Sequence, residues 1–506
     1  LEGETFAWGL SKSTFTIWNK MRQLLAMTMA ALVQFMPIAS HASENWSHPI
    51  AADDARADLV ALYSGLQSAH FNLFVNRSRE DYDALFDQTL ATFKQPQSRL
   101  ELWRTLQAFT AFGRVAHAKI DFPADAYGEY REQGGKAFPI YLKIDDGRAY
   151  ISENYSSSDV VSEGDEILAF NDDPMSAWLD RTGSYVSADI PYIAHSLLES
   201  GFPMYLWLVI GERETFELQL RKDNNRIVTA QVAALSYDDL LTRIEAAPER
   251  FTLDYTSRVA QMLDESVGYL RPGPFYNVEN PDTLWDNTAM IEFVDAAFES
   301  FIANKAKALV LDLRNNPGGD NSFSDPIIAW VADEPFRFAS SFLVRSSNEA
   351  AASNQARLDA HPDATTSVSA LYAEAFSSTP RGETFKFDIP LAQPRQGKQF
   401  EGRVYVLVNR NSYSNAVNTA AIFQDYGWGT IVGEPTADFA TTYGAMEHFT
   451  LPYSGFKVSF PKAHIVRPSG DTQPGGVQPD ILISSPIVAT ATDTVLERLL
   501  ETISED

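Results

Sequence analysis

The residues of this chain whose types and spacing could do chemistry begin with a pair of serines. They lie in Asn411-Ser412-Tyr413-Ser414-Asn415-Ala416, between an apolar run, Val404 to Val408, and a stretch from about Asn415 to Tyr426 that carries Ala416, Ala420 and Ala421. The run reads as a buried strand and the stretch as a helix. A serine at that junction sits where free backbone N–H groups and the helix dipole favour a developing negative charge, as a nucleophile and its oxyanion require. The same position also suits a serine that only caps the helix. The motif by itself leaves both uses open.

A second segment, Asp312-Leu313-Arg314-Asn315-Asn316-Pro317-Gly318-Gly319-Asp320, closes another apolar run, Ala308 to Leu313. Paired glycines let the backbone approach a ligand closely and aim N–H groups at it, as an oxyanion hole demands. An ordinary tight turn uses the same residues, and Asp312 and Arg314 read as stabilisers of that turn. A serine also needs a base. The chain has eight histidines: His41, His48, His70, His117, His195, His361, His448 and His464. His117 stands between a helical stretch and a strand-like one, a junction where clefts form. Spacing alone does not separate it from a structural histidine.

Other chemistries lack their residues. There is no His-Glu-x-x-His zinc motif, Gly-x-Ser-x-Gly elbow, phosphate loop or Gly-x-Gly-x-x-Gly fingerprint. With no cysteine, thiolate zinc sites, disulfides and cysteine nucleophiles are excluded. The formal net charge of −27 argues against nucleic-acid binding, which needs a basic face.

The elements that must position these residues fall into three regions within 506 residues, too many for one small domain. Residues 43–125 read as a helical N-terminal domain, with Leu59, Leu62, Tyr63 and Leu66 on one face and Leu90, Phe93, Leu100, Trp103 and Leu106 continuing the pattern. Residues 126–235 read as a β-rich unit that opens with a hairpin over Asp145-Asp146-Gly147. Residues 236–506 alternate strands and helices, which predicts an α/β catalytic domain. Its helices include one over Met290 to Ile302 behind a Thr288 cap and a terminal one from about Thr492. A polar Ala/Ser/Thr-rich stretch at about 346–381 reads as a surface insertion.

Near the start, Met21 and Arg22 precede an apolar run, Leu24 to Ile38, and then Ser40-His41-Ala42. That order describes a signal peptide over 21–42, cut after Ala42, and so a periplasmic or secreted protein. Residues 1–20 are set aside as an upstream segment. No later stretch reads as a bilayer span, and stable membrane insertion is not expected.

Taken together, the motifs resemble the tail-specific (carboxy-terminal-processing) serine proteases, the group that includes the tricorn core protease. Three features carry the resemblance, from about Gly268 to Ile483. They are the Ala308 to Gly319 run, the Val404 to Ser414 run with Gly433-Glu434-Pro435-Thr436, and Gly476-Val477-Gln478-Pro479-Asp480-Ile481. The resemblance implies a crotonase-like spiral of ββα units, with Ser414 rather than Ser412 as nucleophile. It also implies the backbone N–H groups of Gly319 and Asn415 as oxyanion donors. Gly164-Asp165-Glu166-Ile167 resembles the peptide-binding PDZ domain of many members.

Two departures shape the expected mechanism. Many members pair serine with a lysine shortly after Gly-Glu-x-Thr, but here Phe439 stands near that position. The tricorn-like branch uses a histidine from before the PDZ unit, and His117 resembles it. That branch orients its histidine with a glutamate where this chain has Gln473, and Asp471 is a substitute. The implied activity is an exported serine endopeptidase that cleaves peptides or proteins through an acyl-enzyme, with no metal or organic cofactor. The rival readings are a peptide- or ligand-binding protein on the same fold, and an esterase or amidase.

Overall fold

The computed structural model describes residues 46–280, 283–360 and 368–505. The upstream segment and the expected signal peptide lie outside the described residues.

The apolar runs Ala308–Asp312 and Arg403–Val408 become neighbouring central strands. The sheet runs Val259–Met262, Val267–Arg271, Ala308–Asp312, Arg403–Val408, Thr430–Gly433 and Ile481–Leu482 in spatial order, which is also chain order. The first pair is antiparallel and every other pair is parallel. A parallel sheet needs cover on both faces, and period-two alternation supplies apolar side chains to each. Leu309, Leu311, Val404, Val406 and Val408 pack on one face against helices Thr288–Ala303, Asn321–Ala329 and Asn415–Tyr426. Ala308, Val310, Tyr405 and Leu407 pack on the other against Val495 and Leu499 of Thr494–Glu505.

A second, antiparallel sheet runs Thr384–Lys386, Ser341–Arg345, Lys457–Val466 and Thr442–Thr450. The two-residue strand Lys119–Ile120 pairs with Lys457–Val466 at Val458 and Ser459, so the segment after the N-terminal helices is tied to the C-terminal hairpin. A third sheet orders Ile140–Asp145, Arg148–Asn154, Glu166–Phe170, Thr215–Arg221 and Ile227–Ala233, all antiparallel. The N-terminal helices are Ala52–Ala69, Arg79–Thr92 and Arg99–Ala111, and a Ser98/Glu101 capping box starts the last of these. One continuous core holds Leu62 and Leu106 of these helices, Ile140 and Phe170 of the third sheet, and Val458 and Phe460 of the hairpin.

Three local expectations change. Asn287, not Thr288, holds the cap position of Thr288–Ala303, and the Asp286 carboxylate accepts the Thr288 N–H at 3.0 Å. The 346–381 stretch folds into Asn348–Ala360 and Val368–Ser378, whose Ala350, Tyr372 and Phe376 are buried. Pro191–Ile210, unforeseen as an element, is a helix long and apolar enough to cross a membrane by length and composition. Its Ile193, Leu198, Phe202 and Leu206 pack in the continuous core.

Candidate active site

The strand Arg403–Val408 ends in a turn that separates the two serines. Ser412 is fully buried; its Oγ accepts the Asn409 N–H at 3.1 Å and donates to the Leu313 carbonyl at 2.8 Å. It locks two strand ends together. Ser414 occupies the cap position of Asn415–Tyr426, yet its side chain makes no capping bond. Its backbone lies at φ 52° and ψ −122°, a region that residues with a Cβ enter only under strain. The Ser414 N–H donates to Asp438 Oδ2 at 2.7 Å, and its carbonyl accepts Val417 and Asn418 N–H at 3.0 and 3.1 Å. A half-buried hydroxyl is thereby held at a helix start, its oxygen without a hydrogen bond among the described residues.

The Pro317-Gly318-Gly319 turn closes against this junction. Asn316 fastens it: its carbonyl accepts Tyr413 N–H at 2.9 Å, and its side chain accepts Gly318 N–H at 2.8 Å. Gly318 has φ 84°, and a Cβ there would lie 2.7 Å from the Asn415 nitrogen and 2.9 Å from Ser414 Cβ. Gly319 has φ 137°, and its Cβ would meet the Phe275 carbonyl oxygen at 2.1 Å. Only glycine fits either place. The Gly318 carbonyl accepts Phe275 N–H at 2.9 Å, so in a trans peptide the Gly319 N–H points away from Phe275. Among the described residues neither Gly319 N–H nor Asn415 N–H has an acceptor. Asp312 and Arg314 stay behind the turn, joined to each other at 2.7 Å, with Arg314 also paired to Asp493 at 2.6 Å.

His117 precedes Lys119–Ile120 and is only 2% exposed. Its ring centroid lies 5.1 Å from that of Tyr413, the residue before Ser414, and Nε2 is 4.0 Å from Asp438 Oδ2. Neither ring nitrogen has a hydrogen-bond partner among the described residues. Burial lowers the His117 pKa to about 4, with Asp189 opposing and Lys119 assisting, so the imidazole is neutral at neutral pH. A cavity of about 40 Å³ is lined in part by Ala116, Lys119 and Tyr413, chain neighbours of His117 and Ser414.

Among the described residues no hydrogen bond joins Gln473 to His117 or Ser414. Gln473 is exposed, and its N–H donates to Asp471 Oδ1 at 3.0 Å, with Asp471 also exposed. The structure brings together Ser414, Asn415, the Gly318-Gly319 turn and His117, while Gln473 and Asp471 are exposed and, among the described residues, bonded to neither Ser414 nor His117. The carboxylate it places beside them is Asp438. Thr436 Oγ1 donates to the Asp438 carbonyl at 2.9 Å and accepts Val477 N–H at 2.9 Å, so the Gly433 to Thr436 and Gly476 to Asp480 motifs grip each other around it. Asp438 is fully buried with Oδ1 unpartnered among the described residues. Burial raises its pKa to about 7 against the opposing N–H groups of Ser414 and Phe439. An acidic residue in an otherwise apolar Ala437-Asp438-Phe439-Ala440 run was the signal available in the sequence.

Residues 267–483, from the second strand of the parallel sheet to its last, match the family model of peptidase family S41. Over those residues the chain is similar to the family S41 peptidases. The match assigns it to the serine peptidases, and it coincides with the stretch that resembles the tail-specific proteases. His117 lies outside the matched residues and reaches the S41 domain through Lys119–Ile120. Among solved structures, mature CPAF complexed with lactacystin aligns at TM-score 0.59 and 15% identity, over 90% of this chain and 97% of that one. Mature CPAF alone aligns at TM-score 0.57 and 15% identity, over 85% and 92%. These likenesses are of fold. No curated protein sequence matches.

Proposed function

We propose that the protein is an exported serine endopeptidase of the Ser/His type, which cleaves peptide or protein substrates through an acyl-enzyme on Ser414. The observation that carries this reading is the strained, uncommitted Ser414 hydroxyl at a helix start, beside a double-glycine turn and one residue from the ring that packs on His117. Neutral His117 takes the Ser414 proton as Oγ attacks the scissile carbonyl, then returns it to the leaving amine. The Gly319 and Asn415 N–H groups receive the tetrahedral oxyanion; one such donor is worth about 3 kcal/mol of barrier. Formation of this state requires His117 to close on Ser414, since catalytic hydrogen bonds commonly tighten only with substrate bound.

In this reading the parallel sheet and its helices are a crotonase-like catalytic unit, and residues 43–125 form a helical N-terminal domain. The third sheet is a PDZ-like unit that presents the substrate by strand addition. Export to the periplasm or medium rests on the Met21 to Ala42 pattern. The rival reading, a peptide binder that does not cleave, draws on the unmade hydrogen bonds of His117. Labelling with a fluorophosphonate separates the two. The peptidase labels, and Ser414→Ala abolishes labelling without loss of fold. A folded wild type that stays unlabelled overturns the proposal. Comparing cleavage of peptides with that of simple esters then separates peptidase from esterase.

A further inference from the structure

We propose that Asp438 is the carboxylate that serves His117, balancing the imidazolium formed when Ser414 gives up its proton and holding the nucleophile's backbone with the same oxygen. The inference rests on the peptidase reading and fills the position for which the sequence offers only an uncharged glutamine.

Three observations converge on it. Asp438 Oδ2 is 4.0 Å from His117 Nε2 and accepts the Ser414 N–H at 2.7 Å, so one oxygen faces both partners of the reaction. Asp438 Oδ1 and both His117 nitrogens are buried polar atoms without partners among the described residues. Buried groups of this kind are costly to leave unpaired, and a proton passing from Ser414 to His117 would turn the Asp438–His117 contact into an ion pair. Gln473, by contrast, is exposed and has no charge to offer.

The other charged groups near His117 are Asp189 and Lys119. Asp189, whose Oδ2 accepts the Ala116 N–H at 2.9 Å, also favours an imidazolium and is the competing carboxylate, whereas Lys119 opposes one. Asp438 thus acts through His117, as a positioning and charge-balancing residue. Burial puts its pKa at about 7, well above the usual carboxylate range, while His117 alone sits at about 4 and Asp189 at about 6. The active form needs Asp438 ionised and His117 neutral. Activity should therefore fall as the pH drops through about 7.

The test is the pH dependence of fluorophosphonate labelling and of kcat/KM for wild type, Asp438→Asn, Asp189→Asn and Gln473→Ala, with thermal melts to establish folding. Asparagine keeps an acceptor for the Ser414 N–H but loses the charge. We expect Asp438→Asn to lower kcat by about 10²- to 10⁴-fold with little change in KM, and the acid limb near 7 to move to lower pH. Asp189→Asn keeps the limb near 7. An Asp438→Asn enzyme with wild-type rates overturns the inference, as does one that loses activity with an unmoved limb, the sign of a purely structural role. Gln473→Ala reproducing both the loss and the limb shift also overturns it. Should Asp438→Asn fail to fold, wild-type labelling that stays flat from pH 8 to about 5 overturns it alone. A wild type that labels while these outcomes fail sinks only this inference, whereas a wild type that never labels sinks the peptidase reading with it.

Discussion

In the proposed mechanism Ser414 trades stability for chemistry. Its φ of 52° with ψ of −122° costs about 1–3 kcal/mol in a residue with a Cβ, and the Asp438 carboxylate and the turn around Asn316 hold it there. Replacing it with glycine removes the Cβ that makes the conformation costly. Ser414→Gly is therefore expected to raise the unfolding free energy by about 1 kcal/mol in urea denaturation while abolishing labelling. A drop in stability would show that the backbone here is not strained. Ser412 illustrates the opposite use of the same residue type: fully buried and bonded on both sides, it is structural.

At the scale of elements, the helices of 348–378 are anchored by a buried charge cluster. Glu447, on Thr442–Thr450, accepts Lys462 Nζ at 2.6 Å, Arg357 Nη1 at 2.6 Å and Ser353 Oγ at 2.7 Å. Lys462 and Arg357 hold its pKa down at about 2 against the opposing effect of burial. A carboxyl depressed in this way contributes stability that is complete above the ordinary carboxylate range and lost as the pH falls toward about 2. Glu447→Gln leaves Lys462 buried without its countercharge. It is expected to cost about 3–5 kcal/mol by chemical denaturation, with a weaker response of stability to acid than wild type. An unchanged midpoint would mean that the cluster is solvated in solution.

Across the whole molecule, the third sheet meets the parallel sheet through Arg410, four residues before Ser414. Arg410 Nη1 donates to Glu199 Oε1 and to the Ile144 carbonyl, both at 2.8 Å, and Nη2 donates to Glu434 Oε1 at 3.0 Å. Lys143 stands 3.6 Å from both carboxylates. The edge strand Ile140–Asp145 is thus pinned to the loop that leads into Ser414. Arg410→Met leaves two buried carboxylates to share Lys143 as their remaining countercharge and is expected to cost about 3 kcal/mol. It should also speed amide exchange in Ile140–Asp145 and Pro191–Ile210 relative to Ala308–Asp312, measured by hydrogen exchange with mass spectrometry. Uniform exchange across the three would place the junction elsewhere.

Local chemistry made much of this protein legible from its sequence. The apolar runs of Ala308–Asp312 and Arg403–Val408, and the glycine pair after the first, are short-range signals, because strand period and positive φ depend on adjacent residues. The family signature lies on the same residues. The proposed partners of Ser414 were a matter of contacts between separate segments. Lys119–Ile120 is only two residues long and becomes a strand because Val458 and Ser459 supply its hydrogen-bond partners, which swings His117 toward Tyr413. Asp438 stood out in the sequence only as a lone acid among apolar neighbours, with nothing to show what it faces. It gained its place when the Thr436–Val477 contact folded two motifs together around it. Spacing along the chain sets which residues share a strand or a turn, whereas the meeting of a hydroxyl, an imidazole and a buried carboxylate is decided by packing between segments from tens to hundreds of residues apart.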